Sequence, residues 1–170
     1  MNPLEDALRF GGFTLAHATW IVSDLEEGEL LCPIAVVTKD DERKVIPFES
    51  DSQAEAIERG KNSLEELKDS VDRWAFAREG LLSIEETNDP KQDVIAVSAW
   101  VQGLDEPIIL QQIFKPKASG IFSLIGPIRI AIHGQRPTED VQLGLRLIAM
   151  QGVASHPHGS QWRRWANATV

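Results

Sequence analysis

"DVIAVSAWVQGLDEPIILQQIFKPKASGIFSLIGPIRIAI", residues 93–132, decides the fold of this chain. It divides into three extended runs, 93–103, 106–116 and 121–132, each rich in Val, Ile or Phe. Branched and aromatic side chains suit a pleated, half-buried surface. The connectors "GLDE" and "KASG" are too short for a crossover and join antiparallel neighbours. The most apolar positions of these runs, together with the strand near residue 36, predict burial of Val36, Ile95, Val97, Ile109 and Ile130.

Upstream, "LCPIAVVTK" (31–39) and "KVIPFES" (44–50) read as a hairpin closed by "DDER". Pro33 and Pro47 each remove a ladder donor and belong at an edge or a strand end. Before the hairpin, Leu4, Leu8, Leu15, Thr19 and Val22 recur at near-helical spacing from Pro3 to Val22. Gly11 and Gly12 interrupt that run, which implies either a break or a close helix contact.

After the hairpin, Ser52 and Glu55 fit a helix capping box, and Ser63 and Glu66 offer a second cap. Ile57, Leu64, Leu67, Val71 and Trp74 mark one face of a helix expected to reach about Asp72. Residues 73–84 read either as the end of that helix or as a strand. "NDPKQD" (88–93) is a turn by composition. Thr138 caps a last helix with Glu139 and Asp140 in its first turn. Val141, Leu145 and Ile148 form its apolar face, and Gly152 stands just past its end.

The order helix, hairpin, helix, strands, helix predicts an α+β protein. The expected architecture is an antiparallel sheet of about five strands with two or three helices over one face. It forms a single domain over residues 1–152, followed by a C-terminal tail, 153–170. A chain of 170 residues with 42% apolar and 25% charged side chains is in the ordinary globular range. No apolar run approaches a membrane span. Glu5 and Asp6 stand where a secretory signal needs basic residues, and Cys32 is the only cysteine, so no internal disulfide forms. The expected location is cytoplasmic.

Charge is unevenly placed. The net charge is −9, yet residues 1–110 carry 24 acids against 10 bases, and residues 111–170 carry 2 against 7. The acidic part repels phosphates, which ranks nucleic acid low as a partner and favours a basic protein. Glu58, Glu65, Glu66, Asp69 and Asp72 are expected to form one acidic binding face.

The tail "ASHPHGSQWRRWANATV" (154–170) concentrates chemistry. His156 and His158 are weak metal candidates, because zinc takes three or four ligands and no third lies near in sequence. No metal or cofactor is implied. Trp162, Arg163, Arg164 and Trp165 combine aromatic surface with guanidinium groups. Rings of this size are costly to leave in water, so the segment is expected to anchor on its own domain, on a second copy in a homodimer, or on a partner. Cys32, with no flanking base, reads as an inert thiol. The acidic loops "SDLEEGE" and "TKDDER" lack the ligand spacing of a calcium loop.

Phosphate loops, dinucleotide fingerprints, nucleophile elbows and zinc-protease helices do not occur. The sequence therefore ranks a binding or regulatory protein with an acidic surface (an adaptor, chaperone-like protein or inhibitor) above an enzyme. The alternative is an enzyme or small-ligand binder with a pocket between sheet and helix, built from His133, Arg136, Glu79 and Arg129.

Overall fold

The computed structural model describes residues 2–82 and 91–168. Helix α1 (Pro3–Val22) is followed by strands β1 (Ile34–Lys39) and β2 (Glu42–Pro47), then helix α2 (Gln53–Leu67). Strands β3 (Arg73–Leu82), β4 (Gln92–Val101), β5 (Ile108–Lys115) and β6 (Ser123–Ala131) come next, and helices α3 (Glu139–Ser155) and α4 (Trp162–Ala166) close the chain. The six strands form one antiparallel sheet in the order β2-β1-β3-β4-β5-β6. The fold is α+β, and residues 73–82 supply the sixth strand. Residues 83–84 and the first half of the expected turn at 88–93 lie outside the described residues.

The period-2 alternation of the strands divides the interior in two. Ile34 and Val36 of β1, Ala75 and Ala77 of β3, and Ile95, Val97 and Ala99 of β4 join the larger core under α1. Ala35, Val37 and Phe76 point the other way and meet Phe48 and Leu64 beneath α2. Helices thus lie on both faces, which corrects the expectation of one covered face. The helix-spaced stripe of α2 is what demands a second apolar floor.

Of the five positions expected inside, Val36, Ile95, Val97 and Ile130 are fully buried, while Ile109 is 37% exposed. Ile109 and Leu110 are adjacent in β5, so only one of them can face the core. Leu110 does. Ile109 emerges on the sheet face away from α1.

α1 is continuous through Gly11 and Gly12. A Cβ on Gly12 would come within 2.0 Å of the Ala149 carbonyl oxygen, and one on Gly152 within 1.9 Å of the Arg9 carbonyl oxygen. Each glycine removes a side chain where the other helix's backbone passes, so α1 and α3 cross in backbone contact. Gly152 is therefore inside α3, which runs to Ser155 rather than stopping before residue 152. Thr138 is the N-cap residue without a side-chain hydrogen bond. Val141 is 50% exposed, and Gln142 takes its place against the sheet.

Gln142 accepts from the Ile130 N–H at 3.1 Å and donates to the Ile130 carbonyl at 2.6 Å. Arg146 Nε donates to the Ile128 carbonyl at 2.6 Å. These side chains satisfy the free edge of β6 as a seventh strand would, so α3 covers an edge open to further pairing.

α2 ends at Leu67, short of the expected Asp72. The Ser70 N–H and hydroxyl both bond the Leu67 carbonyl, and the Asp72 N–H already pairs with Thr38 of β1. Val71 and Trp74 still border the smaller core, reached from the chain beyond the helix. Ser52 caps α2 through the Glu55 N–H at 3.2 Å, and the helix passes Ser63 without a second cap. Asp40 and Asp41, with φ of 50° and 64°, make the two-residue turn between β1 and β2.

Candidate functional site

The tail residues become part of a site through one local rule. His156 precedes Pro157, whose ring excludes helical backbone at the residue before it. His156 is accordingly extended at φ −77° and ψ 142°, and α3 stops at Ser155. The chain turns back through the 3-10 segment Gly159–Gln161 into α4. Trp162 and Trp165, three residues apart on one turn, both enter the main core, and Trp165 meets Phe122 edge-on at 5.7 Å. Arg163 and Arg164 face solvent.

The same reversal sets His156 and His158 against α1, where His17 and Trp20 are one turn apart. The His158 N–H donates to His156 Nδ1 at 3.0 Å. His156 therefore keeps its proton on Nε2 and donates it to His17 Nδ1 at 2.9 Å. His17 in turn holds its own proton on Nε2. The His158 ring stacks on Trp20 at 4.1 Å, and Arg43 lies 3.8 Å over the ring of Phe13, which also touches His156.

Burial, reinforced by repulsion from His17, His158 and Arg43, pulls His156 down to about 4. Burial first, then His158, lowers His17 as well. Both rings are neutral near pH 7, as the direction of the hydrogen bonds requires. Among the described residues neither ring is bonded to a carboxylate, hydroxyl or thiol, so the chain of imidazoles clamps the tail to α1 without serving a nucleophile. Both nitrogens of His156 are engaged, and the described residues hold no group of three or more His, Cys, Asp or Glu placed for a metal ion.

Beside the clamp, and sharing Trp20 with it, a groove of about 840 Å³ runs between the end of α1, the turn before β6 and α4. Trp20, Ile121, Phe122 and Trp165 give it apolar walls, while Asp24, Glu29, Lys117 and Arg164 stand at its charged positions. Lys117 bridges to Glu26 at 2.8 Å and Asp24 at 3.8 Å, tying the acidic loop to the turn. Arg164 is oriented by a 3.0 Å hydrogen bond to Gln161.

The other sequence-derived positions do not converge. Glu79 points to the α1 side of the sheet, where it accepts from the Leu31 N–H at 2.9 Å and borders a separate cavity of about 310 Å³ with Asp93. Burial, ahead of the Asp93 charge, raises its carboxyl above the usual range. Arg129, beside Gln111 on the opposite face, has a buried Nε without a hydrogen-bond partner among the described residues. His133, at φ 53° in the turn after β6, contacts Glu106 at the far end of the sheet from Glu79, and Arg136 is exposed in the next loop.

Glu58, Glu65, Glu66 and Asp69 are exposed on and just beyond α2. Glu65 pairs with Lys68, and Asp72 accepts the Asp40 N–H that holds the hairpin turn. Cys32 precedes β1 rather than opening it, and burial raises its thiol, which leaves it unactivated. No helix among the described residues is long and apolar enough to cross a membrane.

Sequence reasoning places His17 on α1 as partly buried or paired, as it is, but missed its pairing with the tail, Trp20 and the groove. Their one signal is the i, i+3 pair of aromatic side chains near the end of α1, and nothing local links it to residues 156–165. Compared with known proteins, the chain matches no family model, no curated protein and no solved structure.

Proposed function

We propose that this is a binding or regulatory protein that holds a basic segment of a partner protein, anchored by an apolar side chain, in the groove beside α4. The observation that supports this reading is the groove itself: apolar walls from Trp20, Ile121, Phe122 and Trp165, with Asp24 and Glu29 of the acidic loop at its charged positions beside Lys117 and Arg164. An apolar anchor surrounded by charge is the usual anatomy of a peptide-binding surface. The acids on α2 lie on the opposite sheet face. They add long-range attraction for a basic partner without touching what the groove holds.

The test is capture of partners from the native cell lysate at low and high salt, comparing wild type with Ile121→Glu and with Asp24→Lys plus Glu29→Lys. All three positions are exposed, and circular dichroism checks that each variant keeps the fold, because Asp24 pairs with Lys117 and Glu29 accepts the Glu26 N–H. The reading expects a salt-sensitive partner lost from both variants. Capture unchanged by either substitution refutes it.

A second reading, a small-ligand pocket, has its own observation in the half-buried, raised carboxyl of Glu79 on its cavity with Asp93. A ligand there would shift the melting temperature of wild type and leave Glu79→Gln unmoved.

A further inference from the structure

α3 carries two unlike faces. Gln142, Leu145, Ala149 and Val153 are buried against α1 and the sheet, whereas Leu143 is 57% and Leu147 71% exposed. At 100° per residue, Asp140, Leu143, Leu147 and Ala154 fall in one outward stripe roughly 22 Å long, with Met150, half-buried against the main core, at its margin. Exposed leucines one helical turn apart, continued by an exposed alanine and the outer part of Met150, are unusual on a surface that stays in water.

The stripe ends in a groove of about 550 Å³ between α3 and α4, lined by Met150, Ala154 and Arg163 among others. Its two ends carry opposite charge. Asp140 stands exposed at the start of α3, and neither it nor Arg163, exposed on α4 beside Ala154, forms an ion pair among the described residues. Glu139 is already occupied by Arg146.

We infer that this face docks a second copy of the chain, with the two α3 helices antiparallel about a two-fold axis at Leu147. A stripe with an acid at one end and a base at the other is complementary to itself only in the antiparallel sense. Leu147 then meets its own equivalent. Met150 of one copy lies over Gly144 of the other, where even an added Cβ would find nothing within 4 Å. Asp140 of each copy reaches Arg163 of the other. The surface is narrow by the standard of permanent dimers, so the association is concentration-dependent. It uses the side of α4 away from the groove of the preceding section and stands independently of that reading.

The test is sedimentation equilibrium of the full chain over a wide concentration series. Wild type dimerises reversibly. Leu147→Glu, which sets two carboxylates against each other on the axis, weakens the dimer by at least ~10-fold while keeping the wild-type circular dichroism, since that side chain is 71% exposed. Leu143→Lys serves as the second variant. Asp140→Arg weakens the dimer, and Asp140→Arg combined with Arg163→Asp restores it. A monomer at every concentration, or a dimer indifferent to Leu147→Glu and Leu143→Lys, overturns the inference. Failure of the double charge exchange to restore what the single one loses overturns the antiparallel arrangement.

Discussion

Acidification should loosen the tail through His156, by an amount that follows from its surroundings. In the folded chain this imidazole titrates at about 4, against 6.5 for an unperturbed ring. Between these values the unfolded chain binds a proton that the folded chain refuses, so stability rises with pH across that window and is lost as pH falls. The full difference corresponds to ~3 kcal/mol, of which ~2 kcal/mol is gone by about pH 5. The structural cause is specific. A proton added at Nδ1 would displace the bond from the His158 N–H, and the new charge would face Arg43 and His17 from a buried position.

Urea unfolding at about pH 7.5 and pH 5, in wild type and His156→Gln, isolates the effect from the carboxylates that titrate in both proteins. Glutamine keeps an acceptor and a donor but cannot gain the charge, so wild type should lose ~2 kcal/mol more than the variant on acidification. Equal losses in the two proteins would refute the burial and repulsion assigned to this ring.

Trp162→Ala and Trp165→Ala should each cost ~3–5 kcal/mol in unfolding, because each empties a fully packed position; an unchanged melting temperature would mean that α4 does not dock. Gln142→Ala leaves the Ile130 N–H and carbonyl without their partner and should lower stability by ~1–3 kcal/mol in thermal or urea melts. Gly12→Ala drives a methyl group into the Ala149 carbonyl, so α1 and α3 must separate, and the variant should melt well below wild type by calorimetry. Glu79→Gln should narrow the pH dependence in the opposite sense to His156. A raised folded carboxyl makes wild type lose stability as pH rises through its titration, and this loss should vanish in the variant.

The sheet was legible because its signal is local. Alternating branched residues in 93–132 and short polar connectors specify antiparallel neighbours without knowledge of the rest of the chain. The faces were less legible. Ile109 and Leu110 look alike in sequence, and only the register against β6 says which one turns inward. The end of α2 was misplaced because Val71 and Trp74 continue the apolar spacing, while a pairing with Thr38, far away in sequence, is what stops the helix.

The tail was half legible. Two tryptophans three apart announce a buried turn, but the α1 partner of His156, His17, lies 139 residues away. No pattern of local spacing encodes that separation. The groove was invisible for the same reason, since its walls come from three segments that only folding assembles.

A nitrogen-15 NMR titration of the whole chain with a short peptide of alternating lysine and leucine addresses the groove reading most directly. The account predicts saturable shifts centred on the Trp20 and Trp165 indole N–H groups and on the Ile121 amide, weakened by salt and lost in Ile121→Glu. Shifts confined to the acidic face of α2, or no saturable shifts at any concentration reached, would contradict it.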